Sequence, residues 1–523
     1  MASSLAMATQ LVTNQTILKL PLLLLIPILL HTVCSQIGLS MIILAITLPS
    51  SFLLQARLIF LTSICINTAF ANLPNLLIIG IDDLRPELNC YGATHIHSPN
   101  IDKLAAQGTL FNYAYAQYAV CGPSRSSMFT SLRPDSTKAY NNKTQFRDKR
   151  PDAESLPEFF KNRGYQTFGF GKILHNTHRD PNSWSETQHY ILGKQYASPE
   201  YKDKRAGIDG IHESNKLIPL FEAPDVSDDA YRDGETNLAA IAKLKSVAKS
   251  EIPFLLFVGY HKPHTPFNAP KKYWDLYNPE TLPLASNPYP PRGAPEFALS
   301  PWNYVRSFGG MPADGPLPEP LARQTRHAYF ACVSYIDSLI GELIAALEET
   351  GEADNTIIAL WSDHGYQLGH HGMWCKHTNF ETSTRIPFII VDPRKDKHGQ
   401  LTHARVELID MYPTLVDLAG FDLPQSIEGK SLAPLIVDPK AWDHKDTAAF
   451  SQFYRSDYKG YSVRMLNLRY TEWRSAKTGK IVAQELYDHR SDPQENVNVA
   501  ESPKHNNQLL YTQSRLRQQW PLE

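Results

Sequence analysis

Beyond residue 71, short apolar runs alternate with stretches at helical spacing. Leu76-Leu77-Ile78-Ile79 is a short continuous apolar run, the pattern of a buried strand. Ser98-Pro99 predicts the start of a helix that stops at Gly108. Ser155-Leu-Pro-Glu158 predicts a capping box, with Gly164 ending that helix and Tyr165–Phe170 forming the next strand. Pro253–Val258 is a further apolar run. Tyr329, Val333, Ile336, Ile340, Leu343, Ile344 and Leu347 lie at helical spacing and predict one buried face of a long helix. Strands are expected at Thr356–Trp361 and Ile386–Val391, and Asp410 is expected to cap a helix with Pro413 in its first turns.

Such alternation predicts an α/β fold, a large and mostly parallel sheet covered by helices. Beyond about residue 430 the pattern changes to short strand-like pieces such as Tyr461–Met465 between turns. A smaller C-terminal α+β region with an antiparallel sheet is expected there. The expected organisation is therefore a leader (1–71), a catalytic α/β domain (72–430) and a C-terminal subdomain (431–523).

The leader differs in composition from the rest. It is rich in Leu and Ile, with apolar runs at Leu20–Leu30, Met41–Leu54 and Leu58–Ile66, and Ala69-Phe70-Ala71 has the small-x-small form of a signal-peptidase site. We read it as an export signal cleaved after Ala71, which places the mature chain in a periplasmic, extracellular or lysosome-like compartment. Each run is shorter than the roughly 20 residues that span a bilayer, so no stable membrane partner is expected beyond the export signal, with a later start at Met41 and an anchor in the early apolar run as the alternatives. A net charge of −2 over 523 residues gives no sign of a nucleic-acid partner. An anionic substrate must then be held by local charges. Many of the 38 prolines fall in Pro266–Pro320, which predicts long ordered loops around a rigid core. Of six cysteines, Cys90, Cys121, Cys332 and Cys375 lie outside the leader, at spacings that fit no small disulfide scaffold.

Five polar clusters fall where strands are expected to end, the place where open α/β sheets bind ligands. Asp82-Asp83 follows the first strand and suits a hard cation with oxygen ligands, although an acidic pair alone is a common turn. Gly171-Lys172-Ile-Leu-His175 follows the Tyr165 strand, and Gly259-Tyr-His-Lys-Pro-His264 follows the Pro253 strand. Ser362-Asp363-His364-Gly365 offers a carboxylate and an imidazole after Thr356–Trp361, with Lys376 a little further on. Cys121-Gly-Pro-Ser-Arg125 sits just before an expected helix, whose N-terminal dipole favours an anion.

The string Cys121-Gly-Pro-Ser-Arg125, continued by Ser-Ser-Met-Phe-Thr-Ser-Leu-Arg-Pro134, resembles the maturation motif of the sulfatase family. Gly259–Phe267, Tyr329–Asp337 and Asp363–Lys376 are similar to the iduronate-2-sulfatase branch, and Glu485–Asn496 resembles the family's C-terminal segment. Asp363-His364, where most sulfatases carry Asp-Asn, also fits that branch. The resemblance covers about residues 73–500 and implies an alkaline phosphatase-like fold. It also implies that a separate maturation enzyme oxidises Cys121 to formylglycine. Asp82, Asp83, Asp363 and His364 match metal ligands, with the modified Cys121 completing the shell. The family metal is usually calcium, although a His ligand leaves another divalent ion open. Arg125 and Lys172 match residues that hold the formylglycine, His175 one that contacts its hydroxyl, and His264 and Lys376 those at the sulfate and leaving oxygen.

The implied reaction is hydrolysis of a sulfate ester, with the 2-sulfate of a terminal uronate in a sulfated glycan as the expected substrate. Of the hydrated aldehyde's two hydroxyls, one attacks sulfur and the other, once deprotonated, expels sulfate. Lys172, Lys376 and Arg125 offset charge, and His264 protonates the leaving alcohol. A uronate also needs a cation for its carboxylate, and Lys262, Arg292 and Arg306 are candidates by position. The alternatives are a choline or aryl sulfatase, a phosphatase or phosphodiesterase of the same superfamily, and a non-catalytic sulfoglycan-binding protein.

Overall fold

The structure, a computed structural model, describes residues 73–176, 178–202, 217–300 and 304–522. The leader, and with it the signal-peptide reading, lies outside the described residues. Residues 72–523 form one compact unit.

In chain order the strands are β1 (Asn75–Asp82), β2 (Thr109–Tyr115), β3 (Gln166–Gly171), β4 (Phe221–Glu222), β5 (Phe254–Pro263), β6 (Phe267–Asn268) and β7 (Thr356–Ser362). They continue with β8 (Arg385–Ile386), β9 (Phe388–Val391), β10 (Gln400–Glu407), β11 (Ala448–Arg455), β12 (Tyr458–Met465), β13 (Leu468–Ser475) and β14 (Ile481–Asp488). The large sheet has the order β10-β2-β9-β7-β1-β5-β3, with β8 paired to β2. All of its strands run parallel except β8 and β9. The single run expected at Ile386–Val391 is broken at Pro387 into β8 and β9, because proline has no N–H to give the ladder. β11 to β14 form a separate antiparallel sheet in the C-terminal region.

The principal helices are α1 (Pro99–Gln107), α2 (Cys121–Thr130), α3 (Leu156–Lys161), α4 (Arg232–Val247), α5 (Glu319–Thr350), α6 (Met411–Leu418) and α7 (Asn506–Gln519). Alternate residues of β1 and β5 feed two apolar layers. Leu77, Ile79, Leu256 and Val258 pack with α4 and α5, whereas Leu76, Ile78, Leu255 and Phe257 pack with α2, α3 and α6. α5 is the core helix of the first layer. It is long and apolar enough to cross a membrane, but 78% of its apolar window is buried within the molecule.

Caps follow the sequence in part. Ser155 and Glu158 form the expected capping box of α3. Asp410 stands at the N-cap of α6 without bonding that helix. Its carboxylate instead accepts from the N–H of Glu407 and of Lys430, tying down the preceding turn. The four cysteines among the described residues are free thiols.

The C-terminal sheet is fastened to the large one by buried charge. Arg469 on β13 donates to Glu495 at 2.7 Å and to Glu381 at 2.6 Å, and Arg464 on β12 reaches Glu381 at 3.2 Å. Removing one partner leaves a buried charge uncompensated, at a cost of about 3–5 kcal/mol. Glu495→Gln is therefore expected to lower the unfolding free energy by about that amount. Denaturant melts at pH 7 check this. A loss under about 1 kcal/mol would show that the network does not hold the two sheets together.

Candidate active site

β1 lies between β5 and β7 in the middle of the sheet, and the polar residues following three of its parallel strands meet at the same edge. Asp82 ends β1, and Asp83 follows it at a φ of 64°. Asp363 and His364 follow β7, and Lys172 follows β3. Cys121 opens α2, all of whose residues are buried. His261 lies within the last residues of β5, with His264 just beyond them.

Strands β3 and β5 approach closely where Lys172 leaves the sheet. A Cβ on Gly259 would lie 2.0 Å from the Lys172 carbonyl oxygen, and one on Gly171 would lie 2.1 Å from that of Gly259. Gly171 also takes a φ of 67°. Glycine at both positions lets the chain turn Lys172 toward Asp82.

Cys121 Sγ lies 3.3 Å from Asp82 Oδ1 and 3.2 Å from His364 Nε2. Asp82, Asp83, Cys121 and His364 each place a donor atom within 4.8 Å of the others. Asp363 borders this group. Its Oδ1 accepts from the Asp83 and His364 N–H groups, and its Oδ2 is held by Arg125 Nε at 2.8 Å. Arg125 is fully buried, and its Nη1 also donates to the carbonyls of Lys172 and Ile173, at 2.6 and 3.0 Å. The guanidinium thus binds three segments of the site together. Lys172 Nζ pairs with Asp82, and Lys376 Nζ donates to Asp83 Oδ1 at 2.6 Å.

His264 Nδ1 donates to the Thr265 carbonyl at 2.8 Å, which leaves Nε2 facing Asp83 Oδ2 at 4.0 Å. His175 is partly buried, its ring edge-on to His178 at 5.8 Å. Ten sequence-predicted residues are thus placed. Eight of them, Asp82, Asp83, Cys121, Arg125, Lys172, Asp363, His364 and Lys376, form one bonded constellation. His264 stands at its edge, and His175 is linked to it through the charges of Lys172 and Asp82.

The charges shape one another. Burial opposes ionisation of Asp82, but Lys172, His264, Arg125 and Lys376 outweigh it and hold its carboxyl well below the usual range. Asp83 is pushed up to about 7 by burial and by the carboxylates of Asp82 and Asp363, against the pull of Lys376. Burial and Lys172 press His175 down to about 2, so its imidazole is neutral. Burial and Asp82 raise the Cys121 thiol well above its ordinary value, so it is protonated.

The donor set fits a hard divalent cation. Two carboxylates and an imidazole converge beside Cys121, and Asp83 Oδ2 is buried with no hydrogen-bond partner among the described residues.

The sulfatase family model matches residues 74–421, two thirds of the chain, and a second model, N-sulphoglucosamine sulphohydrolase, C-terminal, matches residues 369–520. This chain belongs to the sulfatase family. It is a sulfuric ester hydrolase. It is 35% identical to iduronate 2-sulfatase of Mus musculus over 535 residues, covering 88% of this chain and 96% of that protein. Among solved structures it is similar to a phosphonate monoester hydrolase of Agrobacterium radiobacter, with a TM-score of 0.69 and 23% identity over 85% of this chain and 96% of that one. It is also similar to a protein solved with its substrate D-glucosamine-2-N,6-O-disulfate, with a TM-score of 0.67 and 22% identity over 86% of this chain and 97% of that one. These two likenesses establish the fold.

Sequence reasoning missed three contributors to this candidate site. Ser124 Oγ donates to the Asp363 carbonyl at 2.5 Å, and Asn142 Oδ1 accepts from Gly122 N–H at 2.8 Å, fixing the first turn of α2. Arg455, from β11, donates through Nη2 to the His377 carbonyl at 2.6 Å, one residue from Lys376. Ser124 lies inside the maturation motif and was readable there. The other two are brought in by the fold and leave no local signal.

Glu381, His489 and Glu495 also place donor atoms close together. Arg464 and Arg469 neutralise that group, which makes it part of the inter-sheet network described above.

Proposed function

We propose that this sulfatase removes the 2-sulfate from a terminal uronate of a sulfated glycan, using a formylglycine derived from Cys121 and a bound calcium ion. The observation that carries the catalytic part is the constellation around Cys121, with a carboxylate, an imidazole and a buried arginine framework at one helix N-terminus. The substrate rests on the likeness to iduronate 2-sulfatase along most of both chains.

Asp82, Asp83, Asp363 and His364 would hold the cation with residue 121, and the cation would supply charge that makes an oxygen nucleophile available at neutral pH. A formylglycine there would supply an aldehyde whose hydrate has two hydroxyls, one to attack sulfur and one to release sulfate. The chain's own side chains do the rest. Arg125 fixes Asp363 and the Lys172 turn and so positions residue 121. Lys172 and Lys376 bring two ammonium groups to the sulfuryl oxygens. His264 has Nδ1 committed to Thr265, and burial and the charge of Lys376 hold its pKa well below the ordinary value, so its Nε2 is bare and relays to the leaving oxygen a proton drawn from the Lys376 ammonium. His175 is neutral and accepts the proton of the second hydroxyl. The separate maturation enzyme acts before any of this. We infer export from the leader of residues 1–71 and a subdomain boundary near residue 430.

Of the cations considered for the uronate carboxylate, Lys262 Nζ donates to the carbonyls of His264 and Pro266. Arg306 is held by the carbonyls of Pro312, Asp314 and Gly315. Arg292 is exposed, its backbone paired with the chain at Asn496 and Asn498. Arg455 also donates to carbonyls, those of Phe297 and His377, and is a further candidate because His377 directly follows Lys376. Burial lowers its pKa, and the groups that oppose this are Cys375 and Tyr118 rather than a carboxylate.

The test is a panel of matured protein against disaccharides with a terminal 2-sulfated uronate, 6-sulfated hexosamines, choline sulfate and an aryl sulfate. The uronate should win in kcat/KM, and Arg455→Ala should raise its KM about tenfold or more while leaving the aryl sulfate little changed. Preference for choline or aryl sulfate overturns the substrate reading.

A further inference from the structure

A second candidate binding site lies on the edge of the large sheet. A cavity of about 640 Å³ opens there between β2, the edge strand β10 and the segment that follows Pro439. Its walls combine two aromatic rings, Tyr113 and Trp442, with four cationic or ionisable nitrogenous side chains, Arg405, His403, Lys440 and His444. Asp443 is the one carboxylate in this lining, and it lies 3.9 Å from His444.

Arg405 gives the cavity its character. It is 4% exposed and its Nη atoms donate only to the carbonyls of His403, His444 and Leu466. Among the described residues its Nε has no hydrogen-bond partner and no carboxylate forms an ion pair with it, Glu381 acting on it only from a distance. Burial and the charge of Arg464 lower its pKa, as expected of a cation that lacks a full counter-charge. The Tyr113 ring is flanked by Arg405 at 4.6 Å and Arg385 at 4.9 Å. Arg385 in turn is held by Asn112 oxygens rather than a carboxylate. Lys430 Nζ stands 4.3 Å from the Trp442 ring and adds to the positive side. A cavity whose buried cation lacks an acidic partner, and whose walls are aromatic, is complementary to a ligand with anionic groups on a ring scaffold.

We propose that this cavity binds a sulfated saccharide segment, as an accessory site separate from the catalytic constellation. Sulfate or carboxylate groups would face Arg405, Lys440 and the histidines, and a sugar ring would lie against Trp442 and Tyr113. The inference rests on the substrate being a sulfated glycan, but not on which ester is cut. An accessory site would raise the local concentration of a polymeric substrate at the enzyme without entering the chemistry.

The test is calorimetric titration of the full chain with a heparin hexasaccharide whose non-reducing end is a 6-sulfated glucosamine, so that no terminal uronate is offered to the catalytic site. Unsulfated hexasaccharide and inorganic sulfate serve as parallel arms. The double variant Lys440→Glu, Trp442→Ala alters the rim, and because Trp442 also packs partly against the apolar core, its melting temperature reports whether it folds. The sulfated hexasaccharide is expected to bind, the unsulfated one not, and the variant to bind about tenfold or more weakly with an unchanged melt. Equal affinity in a folded variant overturns the site. So does equal binding of the unsulfated sugar, or displacement of the hexasaccharide by sulfate at equimolar concentration, which would mark a bare anion site. If the variant melts early, Leu401→Glu, an exposed change on the same wall, replaces it with the same expectations. Failure of the uronate reading would show in the substrate panel, and even if the catalytic site then took the 6-sulfated end, the drop in affinity of the rim variant would still report on this cavity alone.

Discussion

Replacing Cys121 with alanine is expected to reduce sulfate release by a factor of about 10⁴ or more, as removal of a covalent nucleophile does. The fold should survive. Cys121 opens α2, where alanine is a good helix former, and the first turn stays fixed by the Asn142 bond to Gly122. Cys121→Ser is the more informative variant. Serine offers one hydroxyl, so it can accept a sulfuryl group but has no second hydroxyl with which to expel it. At most one equivalent of alcohol should appear, without turnover. Steady turnover by the serine variant would remove the need for an aldehyde.

The second large effect is expected at the cation site. Asp83→Asn should lower kcat about 10²–10³-fold, the scale on which one electrostatic contact to the reacting centre acts. Asp83 Oδ2 is buried with no hydrogen-bond partner among the described residues, and its carboxyl is pushed up by burial and by Asp82 and Asp363. A bound cation relieves that repulsion, so calcium should raise the melting temperature of the parent protein by mass action. The Asn variant should show a smaller rise. Chelation should abolish the activity of the parent and added calcium should restore it. A metal-free protein with full rate and a calcium-independent melt would contradict the assignment.

The parallel core of the fold was legible because β1, β5 and β7 are continuous apolar runs, buried along their whole length. Two other strands gave weaker signals. β10 is an edge strand that mixes His403, Arg405 and Glu407 among its apolar positions, so no single pattern dominates. β2 follows Gly108 at once, with Asn112 in its middle. The reversed direction of β9 was not legible at all. Direction depends on which neighbours a strand meets, β2 and β7 here, and not on its own residues.

The candidate site was legible to the extent that its residues follow strands or open a helix. Asp82, Lys172, Asp363 and Cys121 all do so. Asp363 shows the limit of such reasoning. From sequence it is a cation ligand like its neighbours, whereas in the fold one of its oxygens is held by Arg125 at 2.8 Å. Arg455 shows the other limit. It bonds a carbonyl 78 residues earlier in the chain, and only the packing of β11 against the loop after Lys376 brings it there.

The central claim is that residue 121 works as an aldehyde and not as a thiol. Protein prepared with graded amounts of the maturation enzyme can be digested, the peptide spanning residue 121 weighed by mass spectrometry, and the same samples assayed for sulfate release. The account predicts a rate proportional to the aldehyde fraction, falling to background where the peptide carries only the thiol. Full activity in protein whose residue 121 is quantitatively unmodified cysteine would contradict it.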